Sequence, residues 1–121
     1  MTTTYTQSKE LLAMGFEPST ADASLRRWYH GKPTHNVSED FGWQMQPLAW
    51  ALTEKDEDTM PSWSLGQLMR LMPEGCLMYW HDDRYIITYH YLGTIITAKA
   101  AEPFVAVIKI LKAIDHAKKK R

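Results

Sequence analysis

Between Gly75 and Ala98 lie three short runs rich in β-branched and aromatic residues: Cys76 to Trp80, Tyr85 to Tyr91 and Thr94 to Ala98. Asp82-Asp83 and Leu92-Gly93 stand between them. Connections that tight join antiparallel neighbours, because a parallel crossover needs a dozen residues or more. The segment therefore predicts a three-stranded antiparallel meander. Immediately downstream, Glu102 and Pro103 suit the first turn of a helix, the acid facing its positive end and the proline lacking an N–H that would be orphaned there anyway. Phe104, Val107, Ile108, Leu111 and Ile114 then recur at i, i+3, i+4, i+7 and i+10, one apolar stripe on a long amphipathic helix. Lys118 to Arg121 complement its negative end.

Upstream, Ser64 with Gln67 three residues on marks a helix start, and Trp63 is placed to staple onto Leu68. Leu65, Leu68, Met69 and Met72 share one face of that helix, and Pro73 forbids its continuation. Thr4 and Gln7 form a capping box for a first helix from Tyr5 to Met14, stopped by Gly15. Ser19 and Asp22 repeat the start signal, and Ala21, Leu25 and Trp28 at i, i+4 and i+7 predict a second helix ending at Gly31. Gly31 to Gln46 has no sustained period and reads as a loop. Pro47 opens a helical turn through Leu48, Trp50, Ala51 and Leu52. The acidic run Glu54, Asp56, Glu57 and Asp58 closes it as a solvated loop.

The expected fold is α+β: N-terminal helices, a three-stranded antiparallel meander and a long C-terminal amphipathic helix. It forms one domain over residues 1–121, with a helical, loop-rich half (1–60) and a helix, three strands, helix half (61–121). The expected core is Leu65, Leu68, Met69, Leu77, Ile86, Phe104, Val107, Ile108 and Leu111. With 121 residues, 45% of them hydrophobic, such a chain buries roughly two-thirds of its unfolded surface without disulfides.

Fourteen basic residues balance fourteen acidic ones, so no global field draws the chain to nucleic acid or anionic lipid. The single Cys76 excludes an internal disulfide and a Cys-based zinc cluster, and fits a reducing compartment. Met1 to Lys9 has no apolar stretch of the secretory kind, and no run approaches the roughly 20 apolar residues of a membrane span. The expected address is the cytoplasm, with no membrane partner.

His81, Asp82, Asp83 and His90 are the one local grouping of metal-ligand types, since a hairpin can bring His residues of adjacent strands together. Asp is equally at home in a turn, where it caps its own backbone, and that is the preferred reading. The H-E-x-x-H, G-x-G-x-x-G, P-loop and G-x-S-x-G spacings do not occur, and Ser62 and Ser64 read as helix caps. The expectation is a non-enzyme without cofactor or metal. Lys118, Lys119, Lys120 and Arg121 are the candidate phosphate contacts, with Lys109 or Lys112 needed to extend them into one face. The acidic groups elsewhere keep that face small, so no appreciable RNA or DNA binding is expected near physiological salt. Trp28, Trp43, Tyr85, Tyr89 and Tyr91 are the candidate interaction surface, for a protein partner or a second copy of the chain.

The motifs Leu11-Leu12-x-x-Gly15, Thr20-Ala21-Asp22 and Pro61-x-Trp63-Ser64-Leu65-Gly66-x-x-Met69-x-x-Met72-Pro73, followed by a short β region and an amphipathic C-terminal helix, together span most of the chain. In these it resembles a loose group of short uncharacterised proteins from gut bacteria and their phages or mobile elements. The resemblance implies a mobile-element accessory protein and assigns no residue a role. The helix, three strands, helix order is also similar to double-stranded RNA-binding domains, whose last helix grips phosphates. Here that helix opens with Glu102, Pro103 and Phe104 and lacks the lysine cluster at its start. The strands-then-helix end is similar as well to small antitoxin-like modules built for protein contacts, a likeness of fold alone.

Overall fold

The computed structural model describes residues 1–30, 38–46 and 57–119. In chain order the described elements are α1 (Tyr5–Ala13), a 3-10 turn (Pro18–Thr20), β1 (Ala23–Arg27), β2 (Trp43–Gln46), β3 (Thr59–Ser62), α2 (Leu65–Leu71), β4 (Leu77–His81), β5 (Arg84–Tyr91), β6 (Thr94–Ala100) and α3 (Pro103–Lys119). They make an α+β fold with two three-stranded antiparallel sheets, ordered β2-β1-β3 and β4-β5-β6. The chain divides into two compact units, Met1–Gln67 and Leu68–Arg121, with the boundary inside α2.

In the second unit the expected meander and helix are present. Asp82 and Asp83 (φ 50° and 57°) and Leu92 and Gly93 (φ 51° and 82°) are both left-handed pairs. Two positive φ angles in succession match the right-handed twist of the flanking strands, the geometry of a two-residue hairpin. Met78, Ile87 and Ala98 lie in one row across the sheet, as do Trp80, Tyr85 and Ala100. Ile87, Ala98 and Ala100 are buried, and α3 packs on β5 and β6 through Phe104, Val107, Ile108, Leu111 and Ile114, all buried. Small alanines on β6 let the helix approach closely. Ile110 and Ala106 are buried too, so the covered arc is wider than the five-residue stripe.

Leu77, expected in the core, is 64% exposed. Its register with Thr88 and Thr97 puts it on the opposite side of the sheet from Met78, because side chains alternate along a strand. Leu65 and Met69 are half-buried, whereas Leu68 and Met72 are buried.

The first unit departs from expectation. α1 has the capping box, with the Gln7 N–H donating to Thr4 Oγ1 and the Thr4 N–H to Gln7 Oε1. It ends where Gly15 (φ 97°) and Phe16 donate to the carbonyls of Leu12 and Leu11, a left-handed C-terminal cap. The predicted second helix is instead strand β1. Pro18 starts a 3-10 turn, and the Asp22 carboxylate does not cap its own segment: it accepts from the Ser64 N–H at 2.7 Å and from the Ser64 hydroxyl, at the start of α2. Ala23, Ser24 and Leu25 are buried in succession, as in a central strand covered on both faces, while Trp28 is exposed. The helical spacing of Ala21, Leu25 and Trp28 is thus coincidental.

Two further strands are present, β2 in the segment read as loop and β3 in Thr59–Ser62, where no strand is expected and Ser62 reads as a helix cap. β2 pairs with β1 from Arg27–Trp43 to Ser24–Gln46, and β3 pairs with its other side from Arg26–Thr59 to Ala23–Ser62. Pro61 is tolerated because β3 is an edge. Asp58, expected in a solvated acidic loop, anchors β3 to β1: Arg27 Nε and Nη2 both donate to its Oδ1, at 3.0 and 2.6 Å. Gly31 to Val37, the turn expected from Pro47 to Leu52, and Glu54 and Asp56 lie outside the described residues.

Candidate interaction surface

The chain leaves β1 at Trp28, whose N–H donates to Gly42 O at 2.7 Å. On the other side, residues 38–42 make a turn in which Ser38 accepts from Phe41 N–H through its carbonyl and from Asp40 N–H through its hydroxyl. Gly42 (φ 89°) is required there: a Cβ at this position would stand 2.5 Å from Tyr29 Cβ. That close approach brings three rings together. Tyr29 and Phe41 meet edge to face at 5.0 Å, Trp28 and Phe41 at 5.6 Å, and Trp28 and Tyr29 at 6.1 Å. They are 58% (Trp28), 37% (Tyr29) and 49% (Phe41) exposed. Rings in mutual contact leave no slot between them for a cation, so the cluster is an outward-facing apolar knob and not a cage.

Beside it, Trp43 is otherwise occupied. Its ring stacks on Tyr5 at 4.4 Å and 7°. Lys9 Nζ lies 5.3 Å from the Tyr5 centroid and the Arg27 guanidinium 5.8 Å from that of Trp43. The facing sides of the rings cover each other, so Lys9, Tyr5, Trp43 and Arg27 form a column that fastens α1 to the sheet. Asp40 adds to this by accepting the Thr6 N–H at 2.7 Å, placing a carboxylate at the positive end of α1. An open cavity of about 300 Å³, lined by Met1 to Tyr5, Leu25, Asp40, Trp43 and Met45, lies against the column.

The other candidate residues fall elsewhere. Tyr85, Tyr89 and Tyr91 are half-buried on the side of the sheet that bears Ile87, with Tyr85 against Trp80 and Tyr89 against Tyr91. His81 sits beside Asp82 at 3.3 Å in the hairpin. His90 is six residues along β5 from Arg84, the partner of His81, which separates the two imidazoles by about 20 Å of strand. The approach of the two His residues that the alternative, metal reading needs is therefore not made. Among the described residues no group of three His, Cys, Asp or Glu is placed to hold a metal ion. Cys76 is partly covered, and burial pushes its thiol pKa up, so it stays protonated at neutral pH. Lys118 and Lys119 are exposed on the last turn of α3, and Lys119 pairs with Asp115 at 3.1 Å. Lys120 and Arg121 lie outside the described residues. Lys109 donates instead to the Lys99 carbonyl at 3.2 Å, beside Arg84, a pair of neighbours the sequence does not announce.

Residues of the three motifs join at one junction. Gln67 Nε2 donates to Thr20 O at 2.8 Å rather than closing a box on Ser64, and Trp63 Nε1 donates to Thr20 Oγ1 at 3.1 Å. Trp63 is fully buried with Phe16 edge-on at 6.0 Å, and Leu11 is fully buried as well. Thr3 closes the junction: its N–H donates to Trp63 O, and its hydroxyl accepts from Trp63 N–H and bonds Ser8 Oγ. Thr20-Ala21-Asp22 and Trp63-Ser64 are thus packing motifs. No protein-family model, curated protein or solved structure matches the chain.

Proposed function

We propose that the chain is a non-catalytic protein-interaction module, an accessory protein of the mobile-element kind its motifs resemble, whose contact surface centres on Trp28, Tyr29 and Phe41. The observation that carries this reading is the exposure of three mutually packed rings where the end of β1 meets the turn held by Gly42. Trp and Tyr supply large contact area with few rotatable bonds, which is why they dominate the centres of protein interfaces. A knob of this kind inserts into an apolar pocket of the partner, and its binding tolerates salt.

The test is a photo-crosslinking residue at position 29, compared with one at position 83, in cells producing the protein. Position 29 should give one discrete adduct, either heterologous or at twice the chain mass. The Trp28→Ser, Phe41→Ser double variant should lose it. Equal labelling from both positions, or an adduct that the double variant leaves intact, rejects the reading.

A further inference from the structure

Charge is unevenly shared between the two units. Residues 1–67 hold five Lys and Arg against nine Asp and Glu, and residues 68–121 hold nine against five. The excess in the second unit has a focus. An open groove of about 570 Å³, where β6 gives way to α3, is lined by Arg84, Lys99 and Lys109, with Glu102 as its single acid. Lys109 is held there by its bond to Lys99 O, which uses one of its three donors and leaves two for a ligand. On α3, Lys109, Lys112 and Lys119 are exposed at i, i+3 and i+10, with the exposed His116 at i+7 on the same face, so the row continues along the helix for about 15 Å. Asp115, paired with Lys119, is the one acid within α3.

We infer that this groove binds phosphate groups, with Arg84 offering its planar fork and Lys99 and Lys109 point charges around the same anion. The inference is independent of the aromatic knob, which lies on the other unit. Phosphate reaches such a groove either as a free polyphosphate or as the backbone of a single nucleic-acid strand, and the row on α3 gives the strand a track.

The test is an amide-shift titration of the isotopically labelled full chain with sodium pyrophosphate, with a 12-nucleotide oligothymidylate and with polyglutamate of equal charge. Saturable shifts at Arg84, Lys99 to Val105 and Lys109 are expected from the phosphate probes. Spread of the oligonucleotide shifts to Lys112, His116 and Lys119 identifies a strand, and confinement to the groove a free phosphate. Three neutralised phosphates predict a log–log salt slope of about −2 for the strand, so a fourfold rise in salt weakens binding roughly twentyfold. Arg84→Gln and Lys109→Gln should each weaken binding several-fold, Lys109→Arg should restore it, and Lys9→Gln should leave it unchanged. The inference is overturned if neither phosphate probe shifts the groove, if polyglutamate shifts it with the same midpoint, or if Arg84→Gln with an otherwise intact spectrum binds as before.

Discussion

The two sheets have the same number of strands and the same antiparallel pairing, yet they are assembled on opposite terms. In β4-β5-β6 spatial order equals chain order and each connection is two residues long. In β2-β1-β3 the first strand is the central one, and both of its partners arrive after long intervals, Arg27 meeting Trp43 and Ala23 meeting Ser62. The first arrangement is specified by turns. The second is specified by what β1 buries and by side chains reaching across the sequence, such as Arg27 to Asp58 and Asp22 to Ser64.

That contrast can be broken most forcefully at Trp63. Trp63→Ala empties the centre of the motif junction and removes the donor to Thr20 Oγ1, whose own bond to Glu17 O remains, at an expected cost of about 3 to 5 kcal/mol. Leu111→Ala in the second unit should cost about 2 to 5 kcal/mol. Hydrogen exchange distinguishes them: the first variant should expose β1, β2 and β3 amides, the second those of β4, β5 and β6. If Trp63→Ala releases both sheets together, the two are one cooperative structure and the contrast fails.

Glycines sharpen the comparison. Gly42→Ala meets both a positive φ and the Tyr29 Cβ, and should cost roughly 2 to 4 kcal/mol. Gly93→Ala, at φ 82° with nothing within 4 Å, should cost only about 1 kcal/mol. Equal shifts in denaturant midpoint would mean that the 38–42 turn relaxes freely, which contradicts a knob held in place by backbone contact.

Asp83→Gly tests the hairpin from the other direction. Asp at φ 57° is a compromise in a turn that favours glycine, so the change should stabilise by up to about 1 kcal/mol. A loss in thermal melting would show that the Asp83 side chain matters more than the backbone. The smallest effect is at Cys76. Because burial raises its pKa, its alkylation at neutral pH should be slower than that of a small thiol, and should climb only at higher pH. Denaturant should abolish the difference, and a folded-state rate matching the small thiol would refute the burial argument.

The second unit could be read from sequence because its signals are local: a dipeptide with left-handed tolerance sets a turn, and an apolar stripe sets a helix face. Even there Leu77 was misplaced, since composition marks a strand without saying which alternate residues face the helix. The first unit resisted because its decisive partners are distant. Ser19 and Asp22 look like a helix start until Ser64 takes the Asp22 carboxylate, and nothing near Thr59 says that a segment containing Pro61 will pair as an edge. The candidate surface shows the same division. Trp28 was identifiable as an aromatic surplus, but Tyr29 and Phe41 join it only through Gly42, and Trp43 leaves it only because Tyr5 is stacked on it. Arg84 and Lys99 entered the basic groove the same way, through the register of β5 and β6.

The central position of β1 has a consequence for synthesis on the ribosome. Once Ala23 to Arg27 has emerged, its last partner, ending at Ser62, is some 35 residues behind, or roughly 2 to 7 s at a translation rate of about 5 to 20 residues per second. Until Gln46 has followed, Ala23 and Leu25 stand on a strand with both edges bare, and until Ser62 has followed one edge still is, able to pair with a neighbouring nascent chain. The hairpins of the second unit close almost as fast as they are made. Crowded polysomes should therefore entangle this chain through its first sheet, and slowing elongation between codons 28 and 58 should lower the soluble yield.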